Sequence, residues 1–349
     1  MTALPRPGLR DVAPYQAPQL DVAARLNTNE SPYPLPDGFR EELARAVREL
    51  PLHRYPDREA RELRERLGEA CGHPVEGTWA ANGSNEVIQQ LLLAYAGPGR
   101  SVLVFPPTYA LHERLAWVAH ADVVRHPLPD GFVLDGATVA RGLASGPAVA
   151  FVCSPNNPTG NAQPLPAVER LAAGEALVVV DEAYVEFGGE SALPLVGRHP
   201  NLVVVRTFSK AFALAGARIG YCLASPEVVE DLRRVRLPYH LSALTQAAGL
   251  VALRHRAEAE AILGRIRAER DRILGALRAM PGVEAFPSDA NFVLFRPPRP
   301  AREVFEGLLA RGVLVRDLSD AVEGCLRVTA GTPREVDLFL EALEEVLAA

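Results

Sequence analysis

The sequence predicts an α/β fold in which a mostly parallel, mixed β-sheet is covered by helices on both faces, with a smaller α+β domain after it. Between residues 78 and 206, short apolar runs that end in polar residues alternate with helical segments. This alternation is typical of parallel strands joined by crossover helices. After Pro281-Gly282 the pattern changes to short strands and two amphipathic helices. A length of 349 residues fits about two domains.

The sequence predicts three parts: an N-terminal arm, a large domain and a small domain. Residues 1–35 are rich in proline and asparagine and predict an extended arm. Residues 36–280 predict the large domain, with helices over 39–50, 58–71 and 84–95, strands over 79–82, 101–105, 149–153, 176–180 and 202–206, and a long helical segment, continuous or broken, over 244–280. Residues 281–349 predict the small domain, with strands over 283–286, 291–295, 313–315 and 325–329, and helices over 301–311 and 333–347.

Composition and charge exclude several classes of protein. The net charge of −6 argues against a nucleic-acid-binding face, which needs to be basic. The four cysteines are far apart and the eight histidines lack metal-ligand spacing, so we expect neither disulfides nor a metal site. Residues 1–15 have no apolar stretch typical of a secretory signal, and no apolar run reaches the ~18 residues of a membrane span. We therefore expect a soluble, cytoplasmic protein.

A single lysine stands among the 37 basic residues, and it is Lys210. The other basic side chains are arginines, whose guanidinium groups are permanently charged. An amine can form a Schiff base with an aldehyde, whereas a guanidinium cannot. A single lysine among so many arginines suggests a position where only an amine serves; the alternative is a drift in composition that spared one residue. The immediate surroundings of Lys210, Thr207-Phe208-Ser209-Lys210 and then Arg218, bring hydroxyl groups and a cation close to its amine.

Three other polar segments follow predicted strands. Ligands bind beyond the carboxyl ends of strands in sheets of this kind. The first segment, SPNNPTG at residues 154–160, would hold the amide of Asn157 rigidly because its prolines restrict the backbone. The second begins with Asp181 at the end of an apolar strand, where an unpaired carboxylate would be costly. Asp181 therefore needs a cationic or hydrogen-bonding partner. The third, GSNE at residues 83–86, opens a helix, whose free N–H groups favour a phosphate.

A reactive lysine, a carboxylate and a phosphate-binding loop together indicate pyridoxal phosphate. This cofactor needs an amine for its aldehyde, an acid opposite its ring nitrogen and contacts for its phosphate group. The carboxylate keeps the pyridine nitrogen protonated, so that the ring can accept electrons from a substrate carbanion. The candidates for these tasks are Lys210, Asp181 and the residues around Ser84 and Arg218.

With these residues in view, the chain resembles the fold-type I, class I/II aminotransferases. The matching motifs are SPNNPTG, DEAY at residues 181–184 and SKAFALAGARIG at residues 209–220, in the order found in the family. Within this superfamily the chain is most similar to the histidinol-phosphate aminotransferases, through LNTNESPY at 26–33, RYPD at 54–57, GSNE at 83–86 and LRVT at 326–329. The resemblance extends over nearly the whole chain. It implies a homodimer with shared active sites that transfers the amino group of L-histidinol phosphate to 2-oxoglutarate in histidine biosynthesis.

The resemblance also implies a role for individual side chains. Lys210 bonds to the cofactor and carries the proton. The cofactor-binding side chains are Asp181 at the ring nitrogen, Asn157 and Tyr184 at the ring hydroxyl, Tyr109 on the ring face, Ser84, Asn85, Ser209 and Arg218 at the phosphate, and Tyr55 from the partner subunit. The substrate-binding side chains are Arg327 for the glutamate α-carboxylate, Arg327 with Arg316 and Tyr15 for the substrate phosphate, and Asn29. By the same resemblance, the arm joins the small domain or the dimer interface.

Each assignment has an alternative. Asp181 could cap a helix, Asn157 could only form a turn, and Tyr109 could be a core aromatic. Arg316 could pair with Asp317 or Asp320 instead of a substrate. For function, the alternatives are an aromatic amino-acid aminotransferase, a threonine-phosphate decarboxylase of the same fold, or a cofactor-binding regulatory module. The sequence argues against a nicotinamide dehydrogenase, because no Gly-x-Gly-x-x-Gly opens a helix after a strand.

Overall fold

The computed structural model describes residues 3, 4, 6, 8–12, 14 and 18–349. The helices in these residues are α1 (Asp37–Glu49), α2 (Arg61–Cys71), α3 (Ser84–Tyr95), α4 (Leu111–Val118), α5 (Gly136–Ala144), α6 (Leu165–Ala172), α7 (Leu193–Val196), α8 (Pro226–Val235), α9 (Ala243–Arg254), α10 (Arg256–Ala279), α11 (Ala301–Ala310) and α12 (Pro333–Ala348). The strands are β1 (Ala24–Arg25), β2 (Thr78–Ala81), β3 (Ser101–Val104), β4 (Asp122–Arg125), β5 (Val149–Cys153), β6 (Leu177–Asp181), β7 (Leu202–Thr207), β8 (Gly220–Leu223), β9 (Glu284–Ala285), β10 (Phe292–Arg296), β11 (Val313–Leu314), β12 (Arg316–Asp317) and β13 (Leu326–Thr329).

The larger sheet has seven strands in the order β2-β8-β7-β6-β5-β3-β4. Only the pairings made by β8 are antiparallel, so the sheet is mixed and mostly parallel. Strands β5 and β6 are buried along their whole length. Successive residues of a strand point to opposite faces, and here the two faces have separate cores. Val179 and Val203 belong to one core, whereas Val178 and Val204 belong to the other. These strands are apolar at nearly every position because their side chains pack against helices on both faces of the sheet.

The smaller sheet is antiparallel, with the order β12-β13-β10-β9. Helices α10, α11 and α12 cover it, and Phe292, Phe295 and Phe339 are buried in their shared core. The long helical segment is broken: α9 ends at Arg254 and α10 begins at Arg256. Helix α10 shares the core of the smaller sheet although it precedes residue 281. The division of the chain at residues 35/36 and 280/281 stays a prediction.

The N-terminal arm adds a strand beside the small sheet. Strand β1 pairs in parallel with β11, which places Ala24 opposite Val313. The backbone N–H of Thr329 then donates to the carbonyl of Leu26 at 2.9 Å. These bonds hold residues 27–29 against the end of β13. Within the described part of the chain, no helix is both long and apolar enough to cross a membrane.

Candidate active site

A cavity of about 260 Å³ lies where the carboxyl ends of the large-sheet strands meet the small sheet and the arm. Twelve of the side chains singled out in the sequence line this cavity: Asn29, Ser84, Asn85, Tyr109, Asn157, Asp181, Tyr184, Ser209, Lys210, Arg218, Arg316 and Arg327. They come from eight separate regions of the chain. The fold therefore brings together most of the chemistry that the strand-end argument expected at one edge of the sheet.

Lys210 lies in the turn that follows β7. Its Nζ donates to the carbonyl of Thr28 at 3.1 Å, so the arm reaches the reactive amine. Surrounding protein atoms desolvate the amine, and Arg327 and Arg218 add positive charge nearby. Together they lower the pKa of Lys210 to about 8. At neutral to mildly alkaline pH an appreciable fraction of this amine is uncharged, which is the form that attacks an aldehyde.

Asp181 ends β6 and is only 2% exposed. Its Oδ2 accepts a hydrogen bond from Nε2 of His112 at 3.1 Å, and its Oδ1 accepts one from the backbone N–H of Ala183 at 3.2 Å. The expected hydrogen-bonding partner is thus confirmed. His112 is fully buried, and its ring stacks on Phe151 with centroids 4.4 Å apart. His112 was not predicted from the sequence, because it lies in the first turn of the short helix α4, outside any motif.

A hydrogen-bond network joins the arm, the large sheet and the small sheet on one side of the cavity. Asn29 donates through Nδ2 to the hydroxyl of Tyr184 at 3.0 Å, and its Oδ1 accepts from Thr329 at 3.0 Å. Arg327 donates through Nη1 to Oδ1 of Asn157 at 2.5 Å. Burial raises the pKa of Tyr184 well above its usual value, so the phenol keeps its proton. The network fixes polar atoms that face the cavity.

The start of α3 forms a tight cradle with Gly83, Gly220 and Arg218. Gly83 has φ of 90°, and a Cβ on it would lie 2.7 Å from Nη2 of Arg218. A Cβ on Gly220 would lie 2.0 Å from the backbone nitrogen of Ser84. These two glycines let the guanidinium and strand β8 approach the helix terminus closely. The first N–H groups of a helix are unpaired and carry partial positive charge. This terminus, with Arg218 and Ser209, therefore has the groups that favour an anion.

Two arginines of the small sheet lie opposite each other and line the cavity. Arg316 on β12 is in register with Arg327 on β13. Like charges directly opposite each other on a sheet are destabilising. The hydrogen bonds from Arg327 to Asn157 and to the carbonyl of Asn27 offset part of this cost. Arg316, for which the sequence also allowed pairing with Asp317 or Asp320, lines the cavity together with Arg327.

One candidate residue that the structure describes, Tyr55, is not among the residues lining the cavity. Tyr55 is 79% exposed and stacks on Tyr239, with ring centroids 4.4 Å apart. Tyr15 lies outside the described residues. The cavity is also lined by Leu318 and Ala321, which no sequence motif indicated.

Comparison with known proteins places this geometry in a family. The model of the family "Aminotransferase class I and II" matches residues 23–343. The chain is 50% identical to the histidinol-phosphate aminotransferase of Thermobifida fusca over 97% of this chain and 94% of that protein. It is 48% identical to the one from Frankia casuarinae over 98% of this chain and 90% of that protein.

The structure is also similar to a solved one. The histidinol-phosphate aminotransferase of Sinorhizobium meliloti, solved in complex with pyridoxal-5'-phosphate, superposes with a TM-score of 0.84 at 25% identity, covering 94% of this chain and 91% of that one. The predicted fold-type I architecture is confirmed by this similarity. The chain belongs to the class I and II aminotransferases.

Proposed function

We propose that this chain is a pyridoxal-phosphate-dependent histidinol-phosphate aminotransferase of histidine biosynthesis. It interconverts L-histidinol phosphate and imidazole acetol phosphate, with 2-oxoglutarate and L-glutamate as the other pair. The observation that carries the proposal is a single cavity with cationic groups from two parts of the fold: Arg218 beside the start of α3, and Arg316 with Arg327 on the small sheet. The first suits the phosphate of a cofactor and the second suits an anionic substrate. We expect the enzyme to work in the cytoplasm.

The residues of the cavity fit pyridoxal phosphate. When bound, this cofactor supplies an aldehyde and a pyridinium ring that withdraws electrons from the substrate. The start of α3 with Ser84, Asn85, Ser209 and Arg218 would hold its phosphate. Lys210, the only amine among the side chains of the chain, would bond to its aldehyde. The close approach that Gly83 and Gly220 permit at this cradle supports the assignment.

Asp181 and Lys210 divide the proton chemistry between them. Asp181, held by His112 and a backbone N–H, presents a fixed negative charge that keeps a proton on the ring nitrogen. Lys210 would be the proton carrier: its free amine would take the proton from the substrate Cα and deliver it to the former aldehyde carbon of the cofactor, on the other side of the nitrogen. A pKa of about 8 suits this exchange, because a general base works best near the operating pH.

The remaining polar side chains orient the cofactor ring and the substrate. Tyr184 and Asn157 would donate to the ring hydroxyl, and Tyr109 would lie on the ring face. The Tyr109 hydroxyl donates to Oδ1 of Asn85 at 3.4 Å, which links the ring-facing aromatic to the cradle. Asn29 and Tyr15 stay proposals for the substrate side.

We assign the substrate anions to the two arginines in register. Arg327 would bind the α-carboxylate of glutamate, and both arginines would bind the phosphate of histidinol phosphate. A guanidinium binds carboxylate or phosphate in a bidentate manner. An anion between two opposed guanidiniums also removes their mutual repulsion. This pair therefore favours a substrate with more negative charge than an ordinary amino acid carries.

Replacing the two arginines one at a time should separate the two half-reactions. Arg316→Ala should lower kcat/KM for histidinol phosphate by roughly 10–100-fold, since one charged hydrogen-bond contact contributes about 1.5–3 kcal/mol. Its effect on glutamate should be much smaller. Arg327→Ala should impair both half-reactions. Single-turnover absorbance of the cofactor with each substrate measures both effects.

A matched control is Arg296→Ala, which removes a half-exposed arginine of the same small sheet that does not line the cavity. Both half-reactions should stay normal in this control. Equal losses of both half-reactions in Arg316→Ala would argue for an ordinary amino-acid aminotransferase instead.

We further propose that the enzyme is a homodimer whose active sites are shared. Tyr55 lies in an exposed aromatic pair with Tyr239, and Leu52 and Leu237 beside them in the chain are also exposed. A group of exposed aromatic and apolar side chains such as this one suits the interface between two subunits. In an isologous dimer each subunit would lend Tyr55 to the cofactor phosphate of the other.

Mixed dimers should test this arrangement. A Tyr55→Ala subunit combined with a Lys210→Ala subunit gives a hybrid in which one site carries both lesions and the other carries neither. If Tyr55 acts across the interface, two impaired parents should yield a hybrid with about half the wild-type activity, since one of its two sites is intact.

The hybrid must be identified by mass, so that subunit exchange is established independently of activity. Comparing the parental Tyr55→Phe and Tyr55→Ala homodimers distinguishes the loss of the hydroxyl from the loss of the ring. If exchange is complete and activity stays at the parental level, Tyr55 acts within its own chain or has no role in the site.

A further inference from the structure

A buried ion pair lies directly behind the proposed site, and its two members are sequence neighbours of site residues. Glu182 follows Asp181, and Arg206 precedes Thr207, which lines the cavity. Because successive side chains of a strand point to opposite faces, Asp181 and Thr207 face the cavity while Glu182 and Arg206 point away from it. The pair therefore belongs to the same two strand ends as the site but touches neither the cofactor cradle nor the substrate arginines.

The contacts of this pair join three segments of the chain. Arg206 donates through Nε to Oε2 of Glu182 at 3.0 Å, and through Nη2 to the hydroxyl of Ser191 at 2.8 Å. Oε1 of Glu182 accepts from the backbone N–H of Ala192 at 2.6 Å. The Glu182 side chain is 1% exposed and that of Arg206 is 14% exposed. The backbone N–H of Glu182 also donates to the carbonyl of Val205 at 2.8 Å, so the strands are joined by both backbone and side chains.

The position of this pair bears on the distance between two reacting groups. Asp181 is fixed at the end of β6, and Lys210 lies in the turn that begins at Thr207, the last residue of β7. The turn is tied down by a bond from the N–H of Ser209 to the hydroxyl of Thr207 at 3.1 Å. Any shift of the end of β7 relative to β6 would therefore move the amine relative to the carboxylate. The ion pair between Glu182 and Arg206 joins the ends of β6 and β7 and therefore resists that shift.

We propose that Glu182 and Arg206 are positioning residues that hold the Asp181 carboxylate and the Lys210 amine at a fixed separation across the cofactor. The proposal rests on the function proposed above. It gives the glutamate of the DEAY motif and the arginine before TFSK a task that is separate from binding. A buried pair of this kind is weak evidence for stability, because desolvation offsets much of the attraction between the charges. The pair contributes more directly by fixing the relative positions of the ends of β6 and β7.

The test compares Glu182→Gln, Arg206→Lys and the double variant Glu182→Met with Arg206→Met. Each holoenzyme is assayed for kcat per bound cofactor, for KM, and for the pH midpoint of the visible absorbance change of the cofactor. A misplacement near 1 Å can cost about 100-fold in rate. We expect kcat to fall roughly 10–100-fold with little change in KM, and the absorbance midpoint to shift in all three variants.

The double variant keeps the proposal testable if a single variant fails to fold. Replacing both charged partners by apolar side chains removes the unpaired charge and often preserves stability. A folded double variant with normal kcat and a normal absorbance midpoint would overturn the proposal, because the pair would then serve stability alone. A single variant whose loss of activity is fully explained by lost cofactor content would overturn it too.

The matched control is Glu169→Gln with Arg198→Lys, an exposed pair of the same types at 2.9 Å. These changes should leave kcat and the absorbance midpoint unaltered. The absorbance measurement needs cofactor but no substrate. It therefore tests the positioning role of Glu182 and Arg206 separately from the proposed function. A wild-type enzyme that binds cofactor but does not use histidinol phosphate contradicts the proposed function, while the positioning role is still decided by the shift in midpoint.

Discussion

Lys210→Arg should abolish transamination while the protein still folds. A guanidinium keeps a positive charge at this position but cannot form a Schiff base or act as a base near neutral pH. Loss of a positioned proton carrier alone costs about 10²–10⁴-fold, and loss of the covalent bond to the cofactor adds to it. We expect activity at background level in the standard assay with 2-oxoglutarate, together with a circular dichroism spectrum like that of the wild type.

The variant Lys210→Ala is the control for the charge of arginine. It removes the cation from a site where Arg327 and Arg218 already disfavour positive charge, and it should be inactive as well. Borohydride reduction of the wild-type holoenzyme should attach the pyridoxyl group to Lys210 and to no other side chain, as peptide mapping would show. Retained activity in either variant would contradict the entire cofactor assignment.

Asp181→Asn should slow proton transfer by about 10²–10³-fold while cofactor still binds. One preorganised electrostatic contact of this kind is worth roughly 3–4 kcal/mol. Asparagine preserves the shape and can still accept the hydrogen bond from His112, so only the charge opposite the ring nitrogen is lost. Single-turnover kinetics with glutamate measures the step, and absorbance of the bound cofactor measures occupancy.

Asp181→Glu provides the comparison, because it keeps the negative charge on a longer side chain. It should retain more activity than Asp181→Asn. A near-normal rate in Asp181→Asn would show that the carboxylate has only a structural task at the end of β6.

The sequence predicted the strands correctly where the pattern of apolar residues follows directly from their burial. Strands β5, β6 and β7 are apolar at nearly every position, since helices cover both faces, and their bounds were predicted to within a residue or so. Strand β4 was missed, because its ends are charged and half of it is exposed at the sheet edge. Strand β8 was missed, because it begins with Gly220 inside the motif that carries Lys210.

The site was predictable as far as each residue followed a strand. The ends of β5, β6 and β7 lead directly to Asn157, Asp181 and Lys210. His112 could not be found in this way, since its task depends on a contact with a residue distant in the sequence. The register between Arg316 and Arg327 was equally hidden, because hairpin pairing fixes it rather than local composition. The approach of Thr28 to Lys210 depends on the arm pairing with β11.

The most direct test of the central claim is a panel of three substrates assayed with the wild-type holoenzyme. L-Histidinol phosphate, L-phenylalanine and L-threonine phosphate are each offered with 2-oxoglutarate, and glutamate formation and carbon dioxide release are both measured. We expect the highest kcat/KM for histidinol phosphate, with glutamate as product and no carbon dioxide. A higher kcat/KM for phenylalanine would contradict it in favour of an aromatic aminotransferase, and carbon dioxide from threonine phosphate would contradict it in favour of a decarboxylase.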